Sequence, residues 1–262
     1  MSVVCLHDKP EIEAFLRQDT ALYLYSLGDL DDFFWQYTQW YGIREAGQLT
    51  ALALLYGTES PPVFLALSSV AGMAALRSLT TLVLPLLPRK VYVHLSIGME
   101  DLLEPTYQLA SFGIHQKMLL TTTAHLPAFH HPGVVRITSE NLDEVNLLYS
   151  ASYPGNAFDP RMLETGQFFG LWEDGHLVSI AGIHVYSPAY RVAAIGNITT
   201  HPQYRNCGYG KAVTAALLRS LVDRVDHIGL NVKADNYAAI HSYQQLGFEG
   251  VGSYHELMAT GR

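Results

Sequence analysis

The sequence predicts an α/β fold of the mixed-sheet (α+β) type, in which a twisted sheet of parallel and antiparallel strands is flanked by helices. It predicts two such domains in tandem. Apolar runs rich in β-branched residues alternate with segments whose apolar residues recur at helical spacing. The order of strand, helices, hairpin, strand, helix, strand, helix and strand occurs once in each half of the chain. A segment rich in Thr, Pro and Gly separates the halves. We therefore expect domains at residues 1–122 and 134–262, joined by a linker at 123–133.

The elements of the first half follow from turn residues and apolar spacing. Pro10 suits the first turn of a helix, and Glu45 to Gln48 read as the turn of a hairpin. The predicted strands are 3–6, 37–44, 49–56, 63–67, 91–95 and 117–122, and the predicted helices are 10–17, 19–34, 72–84 and 104–110.

The second half is predicted in the same way. Thr138 or Ser139 can cap a helix, and Asp174-Gly175 is typical of a hairpin turn. The predicted strands are 134–137, 167–173, 177–186 and 192–200, with a further apolar strand near Leu230, and the predicted helices are 139–149, 161–166, one that begins near Lys211 and 237–246.

The stretch Arg205-Asn206-Cys207-Gly208-Tyr209-Gly210 lies between the strand that ends at Thr200 and the next helix. Glycines allow close approach of a ligand to the backbone, and the first N–H groups of a helix favour an anion. A P-loop is disfavoured because Arg205 stands where its first glycine would be and Ala212 replaces the Ser or Thr that binds magnesium. A dinucleotide fingerprint is disfavoured because Val213 is not small.

The pattern that fits is Arg-x-x-Gly-x-Gly, and it resembles the loop of the GNAT superfamily, the GCN5-related N-acetyltransferases that use acetyl-CoA. A second block supports the resemblance: an apolar strand, then Asn236, then Tyr243 followed by Leu-Gly-Phe at 246–248. The end of the chain is similar to the FR47-like branch of that family. The resemblance implies that residues 134–262 form an acetyltransferase domain.

The first half resembles a degenerate GNAT copy. Tyr107 to Phe112 align with Tyr243 to Phe248, which places tyrosine and phenylalanine at equal spacing near the end of each half. Ser68 to Ala71 stand where the glycine loop would be, so we expect this copy not to hold CoA. An unrelated α/β domain is the alternative for this half.

The resemblance also implies roles for individual residues. Ile198, Thr199 and Thr200 would present backbone groups to the pantetheine arm of acetyl-CoA, or of another short acyl-CoA, and Asn236 would reach the same arm. The pyrophosphate would be held by Arg205, Asn206, Cys207, Gly208, Tyr209, Gly210 and Lys211. Tyr243 would stand near the sulfur as the general acid. The alternatives are that Tyr243 is a core residue and that Asn236 only caps a helix.

The general base is open. Many members of the family carry a glutamate on or near the fourth strand, but Val192 to Thr200 contain no acid. His184, His201 and a water chain are the candidates. Cys207 is interpreted as a variable loop position and not as a nucleophile.

Composition limits the partners. With 24 acidic against 16 basic residues, the formal net charge is −8, which disfavours a broad nucleic-acid or membrane surface. Two distant cysteines and 12 scattered histidines give neither a disulfide framework nor a metal motif, so we expect no metal. The N-terminal residues lack the pattern of a secretory signal, and a cytoplasmic protein is expected.

These observations predict an acyl-CoA-dependent N-acyltransferase that transfers an acetyl group to a primary amine of a small molecule or peptide by direct attack. Five aromatic residues would suit an apolar acceptor, or they are part of the core: Tyr153, Phe158, Phe168, Phe169 and Tyr186. The alternative is a non-catalytic acyl-CoA sensor or interaction scaffold. The sequence leaves monomer and homodimer open.

Overall fold

A computed structural model describes residues 3–57 and 61–262, and these residues form two compact units that are not continuous in sequence. The first unit holds the described residues up to Lys117, together with Val232–Asn236 and Gly250–Arg262. The second unit holds Met118–Asn231 and Tyr237–Glu249. The predicted boundaries put the last strand of the chain in the second domain, residues 134–262. The structure puts most of that strand in the first unit, because it pairs with a strand there.

The described chain contains the following elements. The strands are β1 (Val4–Leu6), β2 (Thr38–Glu45), β3 (Gln48–Tyr56), β4 (Val63–Ala66), β5 (Lys90–Leu95), β6 (Tyr107–Leu120), β7 (Val134–Arg136), β8 (Phe169–Glu173), β9 (His176–Ser187), β10 (Val192–Thr200), β11 (His227–Lys233) and β12 (Phe248–Gly261). The α-helices are α1 (Lys9–Leu16), α2 (Leu24–Gly28), α3 (Asp32–Trp35), α4 (Met73–Val83), α5 (Leu142–Ser152), α6 (Tyr209–Leu221) and α7 (Tyr237–Gln245). No helix within residues 3–57 and 61–262 is long and apolar enough to cross a membrane.

The first unit is built on a mixed sheet with strand order β1-β2-β3-β4-β5-β12-β6. The pairs β1–β2, β2–β3 and β3–β4 are antiparallel, and β4 is parallel to β5. Strand β12 runs antiparallel to β5. One face of the sheet is covered by α4, whose Leu76 and Leu79 are buried against Phe64 and Val93. Fully burying each such side chain contributes roughly 1.5–3 kcal/mol, so this apolar contact fixes α4 on the sheet.

The second unit repeats this plan with strand order β11-β10-β9-β8-β7. Strands β7 to β10 are antiparallel to their neighbours and β10 is parallel to β11. Leu217, Leu218 and Leu221 of α6 are completely buried, as is Val145 of α5. Because strand, helix, three antiparallel strands, helix and parallel strand recur in the same order, the structure confirms the predicted tandem of mixed-sheet domains.

The prediction of a helix at 104–110 is wrong. A short 3₁₀ turn covers Glu100–Leu102, and Tyr107 then begins the long strand β6. The Tyr107 hydroxyl donates to the backbone oxygens of Leu87 and Pro88, which holds this end of the strand. Since Tyr243 lies on a helix and Tyr107 on a strand, the alignment of Tyr107 to Phe112 with Tyr243 to Phe248 is also wrong.

The continuous helix predicted over 19–34 is likewise broken into α2 and α3. The break occurs at Asp31, whose carboxylate accepts from the backbone N–H of Phe33 and so starts a new helix. This is the usual competition between an Asp side chain and the helix backbone. The strand predicted at 117–122 is only the end of the longer strand β6, Tyr107–Leu120, and 161–166 is a 3₁₀ helix, Pro160–Thr165. The other predicted elements are observed with shifts of a few residues at their ends.

The Leu-Gly-Phe motif has a local structural reason. Gly247 adopts a left-handed backbone with φ of 101°. A Cβ at this position would overlap the backbone oxygen of Thr122, and the Gly247 oxygen accepts from the Thr121 N–H at 2.9 Å. Only glycine fits this junction between α7 and β12.

A group of buried titratable side chains lies in the first unit. The Glu256 carboxylate on β12 accepts from the Tyr92 and Tyr254 hydroxyls and lies within 3.5 Å of the imidazoles of His94 and His115. Although burial acts to raise it, the pKa of Glu256 is lowered from its usual value, because the neighbouring His94 and His115 and the two phenol hydrogen bonds favour the carboxylate.

Lys117 lies close to this group. It is 4% exposed, and its ammonium lies 5.1 Å from the ring centre of Tyr254 and 5.2 Å from that of Tyr25. Burial lowers the pKa of Lys117 to about 8, against the weaker opposing effects of Glu256 and Asp19. The folded protein therefore binds fewer protons than the unfolded chain between pH 8 and the usual lysine value of 10.5.

The substitution Lys117→Met is expected to stabilise the protein near neutral pH. Below pH 8 the buried ammonium opposes folding, whereas wild type regains stability as the pH rises from 8 to 10.5. After subtracting the two lost cation–π contacts, the gain in free energy of unfolding should be about 2 kcal/mol at pH 7. It should shrink to near zero at pH 10.5. Urea unfolding between pH 7 and 10.5 measures this.

The matched control is Lys90→Met, because Lys90 is an exposed lysine at the start of β5. It should change stability by less than about 0.5 kcal/mol at every pH. A gain for Lys117→Met that does not depend on pH would contradict the role given to the buried charge.

Candidate active site

The two parallel strands of the second unit, β10 and β11, pair only where both begin. Val192–Ala194 pair with His227–Gly229, and the residues after these do not pair across the two strands. Residues Ile195 to Thr200 continue to pair with β9 on their other side. The edge of β10 that faces β11 is therefore left with backbone groups that a ligand can pair with.

Asn197 is the residue at which β10 departs from regular geometry. Its φ is 53°, and the register against β9 shifts between Gly196 and Thr199. The Asn197 amide donates to the oxygen of Ile183 at 3.2 Å, and the Asn197 backbone oxygen accepts from the buried Tyr149 hydroxyl at 2.7 Å. Asparagine tolerates the left-handed region better than most residues, and these bonds hold the bulge in place.

The loop after β10 turns sharply into α6. A 3₁₀ turn at Pro202–Tyr204 is followed by Asn206 with φ of 66° and Gly208 with φ of 83°. Gly208 is the N-cap of α6, makes no side-chain cap, and has open space where a Cβ would point. The first backbone N–H groups of a 13-residue helix thus begin at an exposed loop, which is the arrangement that binds phosphate.

The side chains of this loop are oriented by local contacts. Arg205 Nε donates to the Thr200 oxygen at 3.3 Å, and Cys207 is exposed. The Tyr209 hydroxyl donates to Glu173 at 2.8 Å, and this hydrogen bond raises the pKa of Tyr209. The Tyr209 hydroxyl is therefore occupied, and the group of Tyr209 that can bind an anion is its backbone N–H.

Tyr243 lies on α7 and is half-buried, with its ring 6.0 Å from that of Phe248. Burial, and then the nearby Tyr153 phenol, raise the pKa of Tyr243, so the protonated hydroxyl is favoured. Sequence reasoning missed Tyr149 and Asn197, although an asparagine inside a run of β-branched and small residues was a visible signal.

The other predicted ligand residues divide between the two units. Ile198, Thr199 and Thr200 are half-buried at the end of β10, where Thr199 Oγ1 donates to Ser152 Oγ at 3.1 Å. Asn236, which precedes α7, belongs to the first unit, whereas Tyr243 and Arg205 to Lys211 belong to the second.

The two candidate bases have different surroundings. The His201 Nδ1 accepts from the backbone N–H of Gln203 at 3.4 Å, so this ring caps the 3₁₀ turn. His184 lies on β9 two residues after Gly182, the partner of Gly196, and a Cβ on Gly196 would overlap the His184 ring. The imidazole of His184 therefore covers β10 next to the bulge and is half-buried there.

The aromatic residues expected to line an acceptor pocket are partly core. Phe168 is completely buried and packs edge-on against Phe158 at 5.6 Å, and Phe158 also contacts Tyr149. Tyr153 is 41% exposed and is the aromatic residue of this set with the most open position that the structure quantifies.

Coenzyme A fits the groups present. Asn231 on β11 and Asn197 on β10 each carry a buried amide oxygen with no hydrogen-bond partner among the described residues. Both follow the point where β10 and β11 separate, and the strand edge there leaves backbone groups with which an amide-bearing arm can pair. Within the described ranges, no cluster of three His, Cys, Asp or Glu residues is arranged to hold a metal ion.

Comparison with known proteins agrees with this geometry. Residues 138–248 match the model of the acetyltransferase (GNAT) family. A mycothiol acetyltransferase from Tsukamurella paurometabola is 35% identical over 95 residues, which is 35% of this chain and 32% of that protein. One from Paenarthrobacter aurescens is 32% identical over 131 residues, or 48% of this chain and 37% of that protein. The chain thus spans about a third of the length of these curated relatives.

Solved structures share the fold over nearly the whole chain. A Drosophila protein superimposes with a TM-score of 0.72 at 12% identity, covering 98% of this chain and 97% of that one. A tandem GNAT protein from the clavulanic acid biosynthesis pathway superimposes with a TM-score of 0.58 at 14% identity, with the same coverage. These likenesses confirm the tandem fold. Residues 138–248, which hold the bulge, the glycine loop and Tyr243, are the part of the chain that matches the GNAT acetyltransferase model.

Proposed function

We propose that the second unit transfers an acetyl or related short acyl group from an acyl-CoA to a primary amine. The observation that carries the proposal is the separation of β10 from β11 directly before a loop with two left-handed residues at the start of α6. A strand edge with open backbone groups suits an extended amide-bearing arm, and a helix N-terminus suits its pyrophosphate.

When bound, an acyl-CoA supplies an acyl group activated as a thioester. We assign the pantetheine contacts to the backbone of Ile198, Thr199 and Thr200. The pyrophosphate contacts go to the backbone from Arg205 to Lys211, where Asn206 and Gly208 turn the chain.

Tyr243 is proposed to protonate the departing thiolate. Its raised pKa keeps the phenol protonated. A protonated hydroxyl can donate its proton to a ligand sulfur.

His184 is proposed as the group that removes a proton from the amine, directly or through one water. Its ring lies over Gly196, two residues beyond the last β10 residue that pairs with β11. His201 is less suited because its Nδ1 is engaged by Gln203. A neutral imidazole accepts the proton that leaves the ammonium form of the substrate.

A small amino compound is the proposed acceptor. The two curated relatives are named as acetyltransferases of mycothiol, a small molecule. The open Tyr153 and the segment that follows α5 are placed to form one wall of an acceptor pocket. The alternative function is a sensor that binds acyl-CoA without turnover.

Binding of acetyl-CoA should be lost when a negative charge enters the loop. Cys207→Asp puts a carboxylate at an exposed loop position, so it should repel the pyrophosphate without disturbing the core. We expect the dissociation constant for acetyl-CoA to rise at least about tenfold in calorimetric titration, as for the loss of a charge-assisted contact.

Cys207→Asn is the matched control, since it has the size of Asp and no charge. Its affinity should stay within about threefold of wild type. If wild type does not bind acetyl-CoA, both the acyltransferase and the sensor functions are refuted. If both variants bind acetyl-CoA as tightly as wild type does, the loop is not part of the binding site.

Tyr243→Phe and His184→Gln separate enzyme from sensor. With a panel of amino sugars, amino acids and simple amines, thiol release from acetyl-CoA should fall about 100-fold in kcat for each variant. The affinity for acetyl-CoA should remain within about twofold, because neither side chain is assigned to the pantetheine amides or to the pyrophosphate. The His184 variant should also lose the acid limb of its pH–rate profile.

Wild-type turnover that survives both substitutions would contradict these two assignments while leaving the binding site intact. Tight binding without thiol release on any amine would favour the sensor.

A further inference from the structure

A cavity of about 520 Å³, open to solvent, lies beside the first turn of α6 in the second unit. Ligand pockets for compounds of moderate size have volumes in this range, roughly 300–1,000 Å³. Three segments line it: the turn before β7, α6 and α7. The lining residues that matter here are His125, Phe129, Lys211, His241, Gln244 and Gln245.

The cavity is partly built by residues outside the family match. His125 and Phe129 precede residues 138–248, which are the part of the chain that matches the GNAT model. The turn Leu126–Phe129 is held against α6, because Arg219 donates to the Leu126 oxygen at 3.0 Å. The segment that joins the two sequence halves thus forms one wall of a cavity on the second unit.

The polar lining of this cavity is basic or neutral, in a chain with 24 acidic and 16 basic residues. Lys211 Nζ donates to Gln245 Oε1 at 2.8 Å and lies 5.1 Å from the ring centre of Phe129. An ammonium has three donors, so further ones remain for a ligand. The imidazole of His241 is held next to the Gln245 amide at 3.0 Å. The cation is therefore placed before any ligand arrives, which lowers the entropy lost on binding.

The cavity combines a cation, a flat aromatic ring and two amides. A phosphate monoester pairs with the cation, a purine stacks on the ring, and amides hydrogen-bond the base edge. The ligand that fits this combination is a phosphorylated purine nucleoside. Lys211 is the third residue of α6, so the cavity adjoins the start of the helix that we assign to the pyrophosphate.

In coenzyme A, the pyrophosphate is joined to 3′-phosphoadenosine. We propose that this cavity binds the 3′-phosphoadenosine end of acyl-CoA, with Lys211 on the 3′-phosphate and Phe129 under the adenine, and so selects full CoA thioesters over those without the 3′-phosphate. This inference rests on the proposed function of the same unit. It adds a specificity site to which the joining segment contributes.

Calorimetric titration of the full chain with CoA and with 3′-dephospho-CoA tests the proposal. Wild type should bind CoA at least about tenfold more tightly, as for the loss of a charge-assisted hydrogen bond. Lys211→Met should weaken CoA about tenfold and leave 3′-dephospho-CoA within about twofold, because only the first ligand carries the phosphate that Lys211 contacts. Phe129→Ala should weaken both ligands by a similar factor of about ten, since both carry the adenine.

Arg224→Met is the control. Arg224 is an exposed cation just after the far end of α6, about 20 Å along the helix from Lys211. It should change neither affinity by more than about twofold.

The possible results distinguish a failure of the 3′-phosphate site from a failure of the proposed CoA site. If neither ligand binds wild type, the CoA site itself is refuted. If both bind wild type equally, or if Lys211→Met weakens both ligands alike, the CoA site stands and the 3′-phosphate site is overturned.

Discussion

The separation of β10 from β11 is the constraint on which the rest of the candidate site depends. Two parallel strands that begin in register would normally continue to pair, because unpaired backbone groups are costly. Here the ladder stops at Ala194, and Asn197 in a left-handed conformation redirects the strand. The bond from Tyr149 to the Asn197 oxygen ties this bulge to α5. A hydrogen bond of this kind contributes about 1 kcal/mol, comparable to the cost of the left-handed residue that it holds.

The charge of the site is local and not global. The chain carries a formal charge of −8, so an anionic ligand is opposed at long range. Attraction comes from groups at the start of α6: the first N–H groups of the helix and the nearby Arg205 for the pyrophosphate, and Lys211 for the proposed 3′-phosphate site. Because charges farther away than about 10 Å are largely screened at 0.1 M salt, these neighbours outweigh the net charge.

The sequence predicts the parts of the fold that have local causes. The Asp174-Gly175 turn, the strand Val192–Thr200 and the glycine loop are found where turn chemistry and apolar runs indicate them. The helix predicted at 104–110 fails because its apolar spacing is shared by a strand, and the partner that holds Tyr107 is distant in sequence. The membership of β12 in the first unit also follows from long-range pairing with β5. For the candidate site, the glycine loop and Tyr243 can be predicted because each lies in a sequence motif. The role of Tyr149 and the cavity at Lys211 cannot, because they depend on contacts that only the folded chain brings together.

Hydrogen–deuterium exchange of the full chain, with and without saturating acetyl-CoA, tests whether the ligand lies where β10 and β11 separate. We expect slower exchange at backbone amides of 196–200 and 206–211, which are the strand edge and the helix start, and unchanged exchange in β2 and β3 of the first unit. Slower exchange confined to the first unit, or none at either segment despite binding, would contradict the placement of the ligand between β10 and β11.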